Sequence, residues 1–137
     1  SIVVNFRSVW YQNHKRKQRE KVTEKKEWYR DLLQECRTLE RTAYRIEPTI
    51  DVSVGKNGLE SDDPVIDQID GILDEIEGLG DRRPESINQS GVTEQISEIG
   101  IWHKRNQKES ISAIDVKQKI IDIAREMKAE AKEDIPE

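Results

Sequence analysis

Apolar and polar residues follow one another along most of this chain with the spacing of helices that are buried along one side. From Val22 to Ile46, apolar and small residues recur at helical steps of three, four or seven, and Leu33 lies off this stripe. Pro48 ends the pattern, because proline lacks an amide N–H and disfavours a helical residue before it. No Gly or Pro interrupts residues 6–46, so the sequence predicts a single helix there, about 60 Å long.

Three shorter helices are predicted by the same spacing and by residues that cap helix ends. Asp63 followed by Pro64 is a strong helix start, because Asp can accept from free backbone N–H groups and Pro suits the first turn. Ser112 and Asp115 resemble a capping box at the start of the last helix. The predicted ranges are 63–79, 92–108 and 112–133.

The segment between the first two helices, residues 48–62, has mixed signals. Its apolar residues alternate as in a strand, and Asn57-Gly58 is a turn signal. The second arm of such a hairpin, LESD, is too short and polar to hold a hairpin alone. We therefore expect loops at 48–62 and 80–91. The predicted fold is one all-α domain, an elongated three- or four-helix antiparallel bundle with a long projecting N-terminal helix.

The composition agrees with an extended helical protein. Charged residues make up 37% of the chain and hydrophobic ones 34%, whereas typical domains have about 25% and 45–50%. Cys36 is the single cysteine, so an internal disulfide is excluded and a reducing, cytoplasmic location is expected. The sequence contains no apolar run of membrane-spanning length and no secretory signal.

Charge is arranged in blocks along the chain. Residues 1–26 contain eight Lys or Arg and two Glu, whereas residues 47–98 contain three basic and fourteen acidic residues. The formal charges are +6 and -11, and the remaining segments are neutral. We therefore divide the first helix into a basic projecting arm, 1–26, and a bundle helix, 27–47.

No catalytic or metal-binding motif is recognisable in the sequence. His14 and His103 are isolated, and Cys36 lies on the apolar stripe, where a buried inert thiol is expected. The acidic residues from Asp62 to Glu77 lie on a predicted helix rather than in a calcium loop. We read them as a solvated face, with partner binding as the alternative. The sequence thus predicts a non-enzymatic protein without cofactor or metal.

The basic arm is the feature that suggests a function. An apolar start, an aromatic pair and a cationic cluster are typical of the cytoplasmic end of a membrane-spanning helix. The same cations could bind nucleic acid phosphates, or the acidic segment of another copy in a homo-oligomer, or form a solvated arm without a partner. The candidate residues are Lys15, Arg16, Lys17, Arg19 and Lys21 for an anionic surface, and Phe6, Trp10 and Tyr11 for the membrane interface.

The stretches SIVVNF, WYQNHKRKQREK and KKEWYRDLL give residues 1–46 a resemblance to the membrane-proximal region of uncharacterised archaeal single-pass membrane proteins. In those proteins a hydrophobic anchor leads into a cationic helix and then into a cytoplasmic helical domain. The resemblance implies a membrane-proximal interaction or scaffold domain, attached through an anionic membrane surface or a preceding anchor. It implies no catalytic residues.

Overall fold

The structure is a computed structural model that describes residues 2–87 and 91–135, with side chains described from Lys21 onward in these ranges. Four helices pack together beside a small antiparallel sheet, so the fold is α+β and mostly helical. In chain order the elements are α1 (Ile2–Ala43), β1 (Asp51–Gly55), β2 (Gly58–Glu60), α2 (Pro64–Asp81), α3 (Gly91–His103), β3 (Glu109–Ser112) and α4 (Ala113–Asp134).

The long first helix is present and continuous, as the absence of Gly and Pro predicts. It ends at Ala43, three residues earlier than expected, and a short turn follows. Its buried face is broader than the predicted stripe, because Trp28 and Leu33 are buried as well as Leu32 and Leu39. The assignment of Leu33 to a position off the stripe is therefore wrong.

The prediction of an all-α fold with a loop at 48–62 is wrong, because β1 and β2 form a hairpin in this segment. Gly55 pairs with Gly58 across the turn, and Gly58 has a φ of 99°, which favours glycine. The hairpin is not isolated: β3 pairs with β1 on the other side, with Val52 opposite Ile111. This third strand supplies the support that the short second arm lacks.

The predicted end of the third helix at residue 108 is also wrong. The helix α3 ends at His103, and the strand β3 begins at Glu109. The backbone N–H of Arg105 donates to the carbonyl of Gly55 at 2.9 Å, which ties the following segment to the end of β1. The chain therefore leaves the helical path and enters the sheet. The sequence gives little indication of the strand β3, because residues 109–112 are mostly polar and exposed.

Helix capping follows the sequence closely. The Asp63 side chain accepts from the N–H of Val65 at 2.9 Å, and Ser112 Oγ accepts from the N–H of Asp115 at 3.1 Å. The second helix, however, continues two residues beyond its predicted end at residue 79, to Asp81. A Cβ on Gly80 would lie 2.8 Å from the Ile96 side chain, so this glycine permits close packing of α2 and α3.

The core lies between α1 and its neighbours α2 and α4, and α3 packs on both of these. Val52, Val54 and Leu59 close one side of this core from the sheet. The Trp28 indole N–H donates to the Leu79 carbonyl at 2.7 Å and joins α1 to the end of α2. This packing places the outer face of α2 beside the C-terminal end of α3.

Candidate functional site: a basic helix and a buried histidine cluster

Most of the candidate site residues predicted from the sequence lie in the first part of α1, where the structure describes only the backbone. Lys21 is described and exposed. The backbone from residue 2 onward is helical and continuous with the packed part of the molecule. The side chains of Phe6, Trp10, Tyr11, Lys15, Arg16, Lys17 and Arg19 lie outside the described residues.

The described segment that follows them, residues 21–27, is exposed along almost its whole circumference. Val22 retains 41% of its side-chain exposure, and of the seven residues Lys25 alone is half-buried. The first buried side chain in the described part of α1 is that of Trp28. Among the described side chains of α1, burial therefore begins at Trp28, and Val22 does not belong to the buried stripe.

Cys36 is buried in the core, as the sequence predicts. Burial raises the pKa of its thiol to about 12, so the reactive thiolate is disfavoured. This environment is that of an inert core cysteine.

A polar cluster that was not predicted from the sequence lies between α2 and α3. His103, the last residue of α3, is fully buried, and three carboxylates of α2 surround its ring. The Nε2 atom lies 3.4 Å from Asp74 Oδ1 and 3.8 Å from Asp70 Oδ1, and the Nδ1 atom lies 3.3 Å from Glu77 Oε1. The expectation that His103 is isolated is therefore wrong, and Asp70, Asp74 and Glu77, which were read as part of a solvated face, contact its ring.

Both ring nitrogens of His103 thus face oxygen atoms that accept hydrogen bonds. The Nδ1 atom is also 2.9 Å from the Ile99 carbonyl, one helical turn back, and an N–H at Nδ1 would donate to it. A neutral imidazole has one N–H and one lone pair. With the N–H on Nδ1, the lone pair of Nε2 faces the carboxylates of Asp74 and Asp70. A positive charge between these groups would stabilise this arrangement.

The exposed side of the cluster is bridged by Lys104. Its Nζ lies 3.2 Å from Asp74 Oδ1 and 3.2 Å from Glu77 Oε2. Hydrogen bonds to Glu77 and then to Asp74 raise the pKa of the Lys104 ammonium. The other oxygen of Glu77, Oε1, is buried and has no hydrogen-bond partner in the described part of the chain.

Two glycines make room for the carboxylates. A Cβ on Gly58 would lie 2.3 Å from Asp70 Oδ1, and a Cβ on Gly100 would lie 2.9 Å from Glu77 Oε1. Asp70 Oδ1 also accepts from the backbone N–H of Leu59 at 2.9 Å. The cluster is therefore built from α2, α3 and the β1–β2 hairpin together.

The environment of the cluster affects the ionisation of Asp70. Its pKa is raised above the ordinary value, first by burial and then by the nearby Asp74 carboxylate, although the Leu59 hydrogen bond acts in the opposite direction. Negative charge is thus crowded at the inner side of the cluster. Such crowding is relieved by a proton or by a cation.

The sequence did contain a signal for this cluster. His103 lies four residues after Ile99 on the buried stripe of α3, and Asp70, Asp74 and Glu77 are spaced to share one face of α2. The sequence could not show that these two faces meet.

No protein-family model matches the chain, and comparisons with curated proteins and with solved structures also found no match. Within the described ranges, no helix combines the length and the hydrophobicity that crossing a membrane requires. The resemblance of residues 1–46 to archaeal membrane proteins stays a prediction.

Proposed function

We propose that this protein is a non-enzymatic interaction or scaffold domain on the cytoplasmic side of a membrane, and that its basic N-terminal helix binds the anionic membrane surface. Lys15, Arg16, Lys17, Arg19 and Lys21 bind lipid headgroups, and Phe6, Trp10 and Tyr11 enter the interface.

The observation that carries this proposal is the exposure of residues 21–27 within an unbroken helix. The backbone of α1 runs from Ile2 to Ala43, and its described side chains are buried only from Trp28 onward. A cationic helix joined without a break to a packed core holds that core at a defined place relative to the surface it binds. A flexible linker would not do so.

The charges of the packed part favour contact through the N-terminal end of α1. Glu35 of α1 has a raised pKa, because of burial and then the nearby Glu75 of α2 and Asp31. Acidic groups are thus close together where α1 meets α2, and an anionic surface would be repelled there.

The membrane is preferred to nucleic acid because of the aromatic residues beside the cations. Trp and Tyr are enriched at membrane interfaces, whereas a phosphate backbone offers such side chains little. Nucleic acid binding through the same cations is the alternative function.

The test is sedimentation of the full chain with anionic and with neutral phospholipid vesicles, beside a duplex DNA binding assay at physiological salt. We expect binding to anionic vesicles, loss of binding when Lys15, Arg16 and Lys17 are changed to Glu, and weaker binding of Trp10→Ala. The matched control changes Arg30, Arg37 and Arg41 to Glu, because these exposed residues lie on the packed half of the same helix.

The structure also determines how fluorescence should be used. Trp28 cannot be replaced without loss of its buried hydrogen bond to Leu79, so a protein with Trp10 alone is a poor reporter. The difference between the emission of the wild type and of Trp10→Phe isolates Trp10 instead, and we expect a blue shift with anionic vesicles. Tight DNA binding without vesicle binding contradicts the proposal, and so does equal loss of vesicle binding in both triple variants.

A further inference from the structure

We propose that His103, Asp74 and Glu77 bind a divalent transition metal ion such as Zn²⁺ at the junction of α2 and α3, with Asp70 beside them. The inference does not depend on the proposed function of the basic helix. One ligand atom from each of His103, Asp74 and Glu77 lies within 4.8 Å of the others.

The charges of the cluster do not balance. The ammonium of Lys104 contacts two of the three carboxylates, Asp74 and Glu77, and two negative charges remain when His103 is neutral. A divalent cation in place of this ammonium leaves one. The lack of positive charge is most evident at Glu77 Oε1. This atom is buried and has no hydrogen-bond partner among the described residues.

The orientation of the histidine ring suits a metal ligand. Metal-binding histidines commonly donate their other ring N–H to a carbonyl or carboxylate, and this bond fixes the ring and its tautomer. Here Nδ1 is 2.9 Å from the Ile99 carbonyl, so a donated N–H there leaves the Nε2 lone pair directed at Asp74. Full burial of the ring holds this orientation.

The distances around His103 Nε2 are close to those of a metal site. Ligands bound to Zn²⁺ at about 2.0–2.2 Å in tetrahedral geometry lie roughly 3.3–3.6 Å from one another. Nε2 is already 3.4 Å from Asp74 Oδ1, and Asp70 Oδ1 is 3.8 Å away. Glu77 Oε1 lies 3.3 Å from the other ring nitrogen, Nδ1, so the Glu77 side chain has to turn for one of its oxygens to reach a metal at Nε2.

Lys104 marks where the metal would bind. Its ammonium lies 3.2 Å from carboxylate oxygens of both Asp74 and Glu77, and the side chain is 42% exposed. A metal ion at these oxygens displaces the ammonium into solvent, which the exposed side chain permits. Lys104 is thus a competitor of the metal rather than a ligand.

The chemistry of the ligands indicates the class of metal. A neutral imidazole nitrogen suits Zn²⁺ and its first-row neighbours, whereas Mg²⁺ and Ca²⁺ prefer oxygen ligands throughout. By the usual order of affinities, Zn²⁺ should bind more tightly than Mn²⁺.

The test is calorimetric titration of the full chain with Zn²⁺ at neutral pH. We expect one Zn²⁺ per chain. Asp74→Asn and Glu77→Gln should each raise the dissociation constant at least about tenfold, because loss of even an outer partner of a metal ligand costs about 10–100-fold. Lys104→Met should lower the dissociation constant, since the competing ammonium is gone.

The matched control is Glu75→Gln, which removes the same charge from the next residue of α2. Glu75 is exposed and pairs with Arg82 at 3.2 Å, away from His103, so its replacement should leave Zn²⁺ binding unchanged. Equal weakening by Glu75→Gln and Asp74→Asn would show diffuse surface binding and overturn the proposal. If the Lys104→Met variant binds Zn²⁺ no more tightly than the wild type, the proposal is overturned as well.

A direct readout is the imidazole NMR signal of His103, which does not require a variant of this buried residue. His103 and His14 are the two histidines of the chain, so their signals can be assigned. Zn²⁺ should shift the Nε2 resonance of His103 and leave its Nδ1–H bonded. An unperturbed His103 during Zn²⁺ binding would overturn the proposal, and so would failure of Zn²⁺ to bind.

Discussion

The two described parts of α1 share one backbone but differ in what stabilises them. From Trp28 to Ala43 the helix buries one face against α2 and α4, whereas residues 21–27 leave almost every side chain exposed. The packed part is held by tertiary contacts, and the exposed part depends on the helix propensity of its Lys and Glu residues and on continuity with its neighbour. Continuous helical structure therefore does not imply uniform stability.

The largest expected effect comes from the packed part. Leu39 is fully buried, so Leu39→Ala should lower the free energy of unfolding by about 2–5 kcal/mol in urea denaturation. Leu33, at 8% exposure, should show a loss of the same order. A negligible cost at Leu33 would mean that the buried face is as narrow as the sequence alone suggested.

A smaller loss is expected at the boundary between the two parts. Trp28→Phe removes the indole N–H and leaves the buried Leu79 carbonyl without its donor, at a cost of about 1–3 kcal/mol. The same denaturation experiment on Trp102→Phe provides the control, because Trp102 is only half-buried. If Trp28→Phe costs no more than its control, Trp28 does not anchor the start of packing.

Glu40 allows a pH test of the packed part. It accepts hydrogen bonds from Lys128 and from Arg125, and these bonds lower its pKa. A lowered pKa in the folded state gives stabilisation that is complete above the unfolded pKa and lost as the pH falls through the folded pKa. Glu40→Gln should therefore destabilise by under about 1 kcal/mol at neutral pH and by less in acid, as denaturation at several pH values can show. A difference that does not change with pH contradicts this.

The smallest effects are expected in the exposed part. Val22→Ala should change the free energy of unfolding by no more than about 0.5 kcal/mol, because Val22 is 41% exposed. Deletion of residues 1–20 should shift the thermal midpoint by a few degrees at most. Collapse of the helical circular dichroism signal after this deletion would show that the basic arm packs on the bundle and would remove the contrast between the two parts.

Some features were predictable because their causes are local. The Asp63 and Ser112 caps act within three residues of the chain, and α2 and α4 begin within one residue of their predicted starts. The burial of Cys36 followed from helical spacing alone.

The sheet and the histidine cluster depend on residues that are far apart in the chain. The β1–β2 hairpin needs β3, whose Ile111 pairs with Val52. The short polar segment ESIS, which forms β3, does not by itself indicate a strand. The cluster needs His103 on α3 to meet Asp74 and Glu77 on α2, and the sequence specifies only which face of each helix these residues occupy.

The sequence by itself thus determined where α2, α3 and α4 begin and the central stripe of the buried face of α1, because hydrophobic period and capping act over a few residues. Only the tertiary structure decided that residues 51–60 and 109–112 form one sheet and that a buried imidazole lies among three carboxylates. Strand pairing and charge clustering are set by which surfaces meet after packing, and that choice is made by the fit of the whole core around α1.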